Sequence, residues 1–255
     1  GEVTDLSPLA GLSELRSLRL RHALKVTDLA PLGRLRQLTS LRLFDFKKLS
    51  DLTPLEQLQN LERLGLWSCP ETSDLGVLLK LPRLTHLTLY SLAKVKDTRV
   101  IASLTDLKSL EMTERQADRL ADLGFLSSLS HLEALRLGSC EALADYAPLG
   151  QLVALRELGL EQPNKLSDLR PFANLRELTA LRLRAKVEVS DLGPLADLKK
   201  LRELELYPQT EAPDYSPLAQ LPDLESLTIH AKGKSLDLPP LPTLKELQLF
   251  AGERL

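Results

Sequence analysis

Leucines recur along this chain as a Leu-x-Leu triplet that returns at a constant distance. The first four triplets begin at Leu18, Leu41, Leu64 and Leu87, a step of 23 residues (41 − 18) each time. Alternate residues of a β-strand face opposite sides, so the two leucines point one way and the residue between them points the other. Each triplet therefore predicts a short strand with one buried and one outward face.

The triplets continue to the end of the chain and number eleven in all. The later seven are Leu110/Met112, Leu135/Leu137, Leu158/Leu160, Leu181/Leu183, Leu204/Leu206, Leu227/Ile229 and Leu247/Leu249. A single unit cannot bury its leucines, whereas stacked units with parallel strands about 4.8 Å apart bury them jointly. The pattern predicts one domain spanning residues 1–255.

A second motif, Asp-Leu-x-Pro-Leu, lies between successive triplets, and an aspartate occurs at its position in every unit. The aspartates are Asp5, Asp28, Asp51, Asp74, Asp97, Asp122, Asp145, Asp168, Asp191, Asp214 and Asp237. Such a row suggests a metal ladder, but stacked like charges repel, and an aspartate before a turn typically accepts hydrogen bonds from free backbone N–H groups. We therefore predict that the aspartates cap a short 3₁₀ or helical turn, whose backbone the proline fixes.

The complete unit, for example residues Val26 to Leu43, resembles the leucine-rich repeat. Among its subclasses it is most similar to the internalin type, which also carries an Asp-Leu/Ile-x-Pro-Leu segment, although the unit here is one residue longer. The resemblance implies an α/β leucine-rich-repeat solenoid of about eleven repeats. Its expected form is a curved horseshoe, with a parallel β-sheet on the concave face and short 3₁₀ or helical turns on the convex face.

The resemblance also implies an asparagine after each strand, which this sequence lacks. That column holds Ala23, Phe46, Cys69, Leu92, Arg115, Cys140, Pro163, Lys186, Gln209 and Lys232. We therefore expect no ladder of asparagine hydrogen bonds and a looser turn after each strand.

Two units depart from the repeat. Near residues 113–123 the step lengthens to 25 (135 − 110), and the stretch from Thr113 to Arg119 is polar apart from Ala117, so we expect a bulge here. It is open whether this is a hinge, a change of curvature, a contact loop or drift in length.

The last unit, residues 237–255, is shortened and rich in proline, as expected of a capping repeat. Because the chain opens in mid-repeat, we expect a fragment of a longer protein with further domains upstream.

Composition narrows the class of protein. The chain has 33 basic and 35 acidic residues and a formal net charge of −2, which does not favour nucleic acid as a partner. It shows neither a signal peptide nor an apolar run of about 18 residues, so no membrane span is expected. With only two cysteines and no Asn-x-Ser/Thr acceptor, the sequence predicts a cytoplasmic protein.

No constellation of residues indicates catalysis. The histidines, which fall in different repeats and columns, are His22, His86, His131 and His230. Cys69 and Cys140 share a column but lie three repeats apart, roughly 14 Å at strand spacing, which is too far for a disulfide. Carboxylates on an open sheet face are not desolvated, so their pKa values are not tuned for acid–base work. We predict no enzyme activity, no cofactor and no metal.

One outward column carries the aromatic residues. The position after the second leucine of each triplet holds Arg21, Phe44, Trp67, Tyr90, Thr113, Gly138, Glu161, Arg184, Tyr207, His230 and Phe250, which include five of the ten aromatics. The predicted ligand-binding residues are Phe44, Trp67 and Tyr90 with Arg19, Arg21 and Arg42, and a smaller patch of Tyr207, His230 and Phe250. Cross-strand packing and ligand binding both explain such a ladder.

The first functional hypothesis is a non-catalytic domain that binds a protein ligand on its concave face. A fragment of this kind resembles the C-terminal sensor domain of NACHT-type (NLR) proteins. Single-stranded nucleic acid ranks second, because aromatic and basic side chains together also suit it. Two alternatives stay open: a structural or autoinhibitory spacer in a multidomain protein, and an internalin-like surface adhesin, which requires an export signal and an anchor.

Overall fold

The computed structural model describes residues 3–95, 97–113, 122–138, 140–163, 165–187, 189–208, 214–231 and 236–251. Contacts between residues group the chain into two units, Gly1–Arg119 and Leu120–Leu255. The boundary falls in the irregular repeat expected at 113–123, of which residues 114–121, and with them the predicted bulge, lie outside the described ranges. The single domain of 1–255 stays a prediction.

The first unit contains five parallel strands that pair in chain order. They are β1 (Ser17–Arg21), β2 (Ser40–Phe44), β3 (Arg63–Trp67), β4 (His86–Tyr90) and β5 (Ser109–Thr113). Leu18 lies beside Leu41 and Leu41 beside Leu64, so each step of the repeat places the same column on the next strand. The strands predicted from the triplets are confirmed.

The second unit contains six parallel strands that likewise pair in chain order. They are β6 (Ala134–Leu137), β7 (Glu157–Glu161), β8 (Ala180–Val187), β9 (Glu203–Pro208), β10 (Ser226–Ala231) and β11 (Glu246–Ala251). The shorter last repeat keeps the register, because Leu227 lies beside Leu247. The residues deleted from this repeat therefore come from the turn segment and not from the strand.

Short 3₁₀ helices connect the strands. They are Ser7–Gly11, Leu32–Arg34, Thr53–Gln57, Gly76–Lys80, Arg99–Ser103, Gly124–Ser128, Cys140–Ala142, Ala147–Gln151, Arg170–Phe172, Gly193–Leu195 and Ser216–Gln220. The aspartate of the motif precedes ten of these turns, and its Oδ1 accepts the N–H of the residue two positions on, at 2.6–2.9 Å. The prediction that the aspartates are turn caps is confirmed for these ten.

The last repeat departs from this capping pattern for a chemical reason. Two positions after Asp237 stands Pro239, which has no backbone N–H to donate. Residues 237–241 accordingly form no 3₁₀ helix, although the strand that follows them is intact. The aspartate of the motif is thus present at position 237, but it does not form the capping hydrogen bond.

The core is formed by the inward leucines together with the column that lacks asparagine. The members of this column that are described and fully buried include Ala23, Phe46, Cys69, Leu92 and Cys140. Their carbonyls accept the N–H three residues on, from Val26, Leu49, Thr72, Val95 and Leu143 respectively, at 3.1–3.3 Å. At these five positions the turn is therefore regular and apolar packing takes the place of the asparagine ladder, so the looser turn that we expected is not found there.

The two ends of the array are less well covered than its middle. The inward-facing leucines of β11, Leu247 and Leu249, are 44% and 50% exposed, whereas Leu41 and Leu43 of β2 are fully buried. At the other end Leu12 is 48% exposed. The capping role expected of residues 237–255 stays a prediction, since 252–255 lie outside the described residues.

Candidate binding face

The strand register places the outward residues of β1 to β4 in three rows, which we call the outer face. The first row contains Ser17, Ser40, Arg63 and His86; the middle row contains Arg19, Arg42, Gly65 and Thr88; the last row contains Arg21, Phe44, Trp67 and Tyr90. Neighbours within a row lie on adjacent strands, about 4.8 Å apart. The structure therefore brings all six predicted residues of the first patch onto one surface.

A left-handed residue follows the last row and ends each of these strands. His22, Asp45, Ser68 and Ser91 have φ angles between 54° and 60°. The N–H groups of the first three donate to the carbonyls of Phe44, Trp67 and Tyr90 on the next strand, at 2.8–3.0 Å. The backbone at the end of each of these three strands is thus hydrogen-bonded to the next strand, beyond the last row.

Phe44 and Trp67 form a stacked pair in the last row. Their ring centroids are 4.3 Å apart and their planes are inclined by 11°. The Arg21 guanidinium carbon lies 4.7 Å from the centroid of the Phe44 ring, which is a cation–π contact. Tyr90 occupies the next position of the row, in register with Trp67. Of the ladder predicted for Phe44, Trp67 and Tyr90, the stack of Phe44 and Trp67 is confirmed.

Gly65 provides the seat for the Trp67 indole, and sequence reasoning missed this residue. A β-carbon at position 65 would lie 2.0 Å from Cζ3 and 2.2 Å from Cη2 of Trp67. The ring therefore covers the space of the missing side chain, an arrangement that only glycine permits. A glycine between the two leucines of a strand triplet was the available signal, since glycine inside a strand often marks a close approach.

A depression of about 290 Å³ lies beside the indole. Its lining includes Arg42, Arg63, Gly65, Trp67, His86 and Thr88. Two guanidinium groups, one imidazole and the hydroxyls of Thr88 and Ser109 belong to the residues that border it. Arg63 and His86 were not among the predicted site residues, because they stand in the first row, which carries no aromatic residue.

The outer face carries positive charge without carboxylates. Its twelve positions hold four arginines and no aspartate or glutamate. Within the part of the chain that the structure describes, neither Arg19, Arg42 nor Arg63 forms an ion pair. The closest acid after β2, Asp45, instead pairs with His22 at 3.1 Å and Lys47 at 3.4 Å.

The second unit treats its strand-face arginines differently. Arg182 on β8 forms an ion pair with Glu203 on β9. Arg184 Nε donates to Glu205 at 2.9 Å, and the same guanidinium lies 3.8 Å from Glu161. Arginines in these rows are therefore neutralised by neighbouring strands in one unit and left without a carboxylate in the other.

The smaller patch forms a stack of three rings. The centroids of Tyr207 and His230 are 3.7 Å apart and those of His230 and Phe250 are 4.2 Å apart, with interplanar angles of 10° and 7°. Burial lowers the pKa of His230, although the Glu205 carboxylate opposes that shift. Burial also raises the pKa of Tyr207, whose hydroxyl donates to Glu205 Oε1 at 3.2 Å. These three predicted residues are thus brought together, on the second unit.

The interior of the described part of the chain also contains titratable side chains. Both cysteines are buried, and burial raises the pKa of Cys69 to about 11, which leaves it a thiol at neutral pH. The buried Tyr215 hydroxyl has no hydrogen-bond partner among the described residues, and burial raises its pKa to about 12.

No group of three or more metal-ligating side chains occurs within the described ranges. In that same part of the chain, no helix is long and apolar enough to cross a membrane.

Comparison with solved structures identifies the fold. The internalin InlF of Listeria monocytogenes matches with a TM-score of 0.72 at 28% identity, over 99% of this chain and 73% of its own. The internalin C2 of the same organism matches with a TM-score of 0.51 at 27% identity, over 87% and 83%. The leucine-rich-repeat protein LIC12759 of Leptospira interrogans matches with a TM-score of 0.69 at 19% identity, over 97% and 63%. No protein-family model and no curated protein matches the sequence.

These similarities establish the predicted leucine-rich-repeat solenoid, and the two internalins support the internalin-like type of repeat. They lend no support to a C-terminal position in a NACHT-type protein.

Proposed function

We propose that this leucine-rich-repeat chain is a non-catalytic recognition module that binds a protein partner on the outer face of its first unit. Phe44 and Trp67 are the anchors of that site, and Arg19, Arg21 and Arg42 surround them. The observation that carries the proposal is a stacked aromatic pair on a face with four arginines and no carboxylate. Repeat proteins characteristically bind partners on an extended sheet surface of this kind.

Mutual packing alone accounts for only part of this surface. Cross-strand aromatic pairs contribute roughly 0.2–1 kcal/mol each to the stability of a sheet. That contribution does not require arginines without counter-charges around the pair. In the second unit, by contrast, Arg182 and Arg184 on the strand face form ion pairs with glutamates of the adjacent strand. A surface rich in tryptophan, phenylalanine and arginine is instead typical of the energetic centre of a protein interface.

The proposal is tested by capturing a partner with matched variants. The immobilised full chain, its Phe44→Ala/Trp67→Ala variant and a Leu79→Ala/Val153→Ala control, which removes exposed apolar side chains outside both patches, are incubated with an extract of the source organism, and bound proteins are quantified by mass spectrometry. We expect the wild type and the control to retain the same partner and the Phe44/Trp67 variant to lose it. Equal recovery by all three, with circular dichroism showing that each is folded, would contradict the proposal and favour a structural spacer.

The wider context of the module is a separate part of the proposal. We place it in the cytoplasm, which the free, buried cysteines and the missing glycosylation acceptors support. Attachment to upstream domains, such as those of a NACHT-type receptor, stays a prediction. The full-length gene tests this placement directly. An export signal upstream and an anchor downstream would overturn it in favour of a surface adhesin of the internalin kind.

A further inference from the structure

We infer that the depression beside Trp67 is a carboxylate subsite, which takes an acidic side chain of the bound protein. The partner segment is then an acidic peptide in which an aromatic or apolar residue stands next to glutamate or aspartate. This inference rests on the proposed function, because it specifies the chemistry of the partner that the outer face binds.

The position of the two arginines supports this inference. Arg42 stands in the middle row of β2 and Arg63 in the first row of β3, and both line the depression. Arg182 and Glu203 have the same relation on β8 and β9 and form an ion pair there. The first unit therefore holds a second guanidinium where the second unit holds a carboxylate.

Because Arg63 stands where the second unit has Glu203, the positive charge of Arg42 lacks the counter-charge that Arg182 has, and a ligand can supply it. Two guanidinium groups bordering one space repel each other, and the lining of that space contains no carboxylate. Glu111 on β5 stands beside Thr88, yet among the described residues neither Arg42 nor Arg63 forms an ion pair. A carboxylate from outside would take the place that Glu203 takes in the second unit. Guanidinium groups suit this task because their planar fork donates two parallel hydrogen bonds to one carboxylate.

The remaining walls define what adjoins the carboxylate. The indole of Trp67 borders the depression and stacks with Phe44 along the last row, so an apolar or aromatic side chain next to the acid meets an aromatic surface. The depression, at about 290 Å³, admits a side chain together with a few waters. Its shallow, polar lining fits a side chain presented by a peptide better than an enclosed small molecule.

The position of Trp67 also provides the assay, since it is the only tryptophan of the chain. The full chain is titrated with acetyl-Glu-Glu-Phe-Glu-Glu-amide and with the glutamine counterpart, acetyl-Gln-Gln-Phe-Gln-Gln-amide, and Trp67 emission and calorimetry are followed. We expect saturable binding of the glutamate peptide that changes Trp67 emission. The glutamine peptide should bind about tenfold or more weakly, because it cannot form charge-assisted hydrogen bonds.

Matched variants assign the binding to the depression. Arg42→Gln/Arg63→Gln should weaken binding of the glutamate peptide by about tenfold or more. Arg34→Gln/Arg83→Gln, which removes the same charge from exposed residues of the turn side, should keep wild-type affinity within about twofold. Equal affinities of the two double variants, or equal affinities of the two peptides for the wild type, would overturn the inference.

Two further comparisons distinguish a phosphate ligand from an acidic peptide, and a failure of the subsite from a failure of the proposed function. A ten-nucleotide oligothymidine or inorganic phosphate that binds more tightly than the glutamate peptide, and that loses affinity in Arg42→Gln/Arg63→Gln, would assign the depression to phosphate and overturn the acidic peptide. If capture of a partner depends on Phe44 and Trp67 while peptide binding is independent of Arg42 and Arg63, the subsite is wrong and the proposed function stands. If capture is unaffected by the Phe44/Trp67 variant, the proposed function is wrong.

Discussion

The indole ring of Trp67 lies over the α-carbon of Gly65, so close that a β-carbon at position 65 would come within 2.0 Å of it. Gly159 on β7 occupies the corresponding middle position, where the atoms nearest to a β-carbon would be those of the Arg136 side chain, at 3.5–3.9 Å, an ordinary van der Waals distance. The two glycines stand at the same point of the strand pattern, yet only one of them is required by a neighbour.

Gly65→Ala is therefore expected to displace the indole and break its stack with Phe44. The variant should lose about 1 kcal/mol of unfolding free energy, and the emission of Trp67 should shift to longer wavelength as the ring becomes more solvated. Gly159→Ala is the control and should be neutral or stabilising by up to about 1 kcal/mol, because alanine loses less entropy on folding than glycine. Unchanged Trp67 emission in Gly65→Ala would show that the indole does not depend on this seat.

The aspartate caps predict unequal effects for two chemically identical substitutions. Asp51 accepts the N–H of Thr53 at 2.8 Å, and hydrogen bonds from the side chain and the backbone of Thr53 lower the pKa of Asp51. Asp51→Ala should lower the unfolding free energy by about 1 kcal/mol, the usual loss when a capping residue is removed. Asp237→Ala should have no measurable effect, since Pro239 offers no N–H. Urea denaturation of both variants measures the difference, and a comparable loss in the two would contradict the role of the cap.

His230 predicts a pH dependence of stability that arises from its place between two rings. Because burial lowers the pKa of His230 below its ordinary value of 6.5, the unfolded chain takes up the proton more readily than the folded chain. The contribution of the neutral, stacked His230 ring to the free energy of unfolding is therefore present in full above about pH 6.5. It is lost as the pH falls through the lowered pKa. His230→Phe keeps a ring in the stack without a titrating group, so its stability should fall less between pH 7 and 5.

Titration of the His230 ring by NMR checks this prediction directly. The pKa of His230 should lie below 6.5, and Glu205→Gln should lower it further, because the Glu205 carboxylate favours the protonated ring. A pKa at or above 6.5 in the wild type would show that stacking with Tyr207 and Phe250 does not disfavour the charged form.

Much of this fold follows from local sequence, and the reasons are visible in particular residues. The alternation in Leu41-Arg42-Leu43 decides which side chains face inward, and the step of 23 residues (64 − 41) places the next leucine beside them. The Asp51 cap was predictable because its hydrogen bond spans only two residues. The turn after each strand was not predictable from the missing asparagine, since Phe46 and its equivalents fill the core from neighbouring repeats.

The sequence by itself determined the strands, the turn caps and the row in which Arg21, Phe44, Trp67 and Tyr90 stand, because each depends on a repeating local pattern. Only the tertiary structure decided which of the outward side chains meet. Whether an arginine finds a carboxylate depends on a residue on the adjacent strand, 21 positions away for Arg182 and Glu203. Arg42 and Arg63 are also separated by 21 residues (63 − 42). The two guanidinium groups come from different repeats, so they repel each other only once the strands have assembled into the sheet.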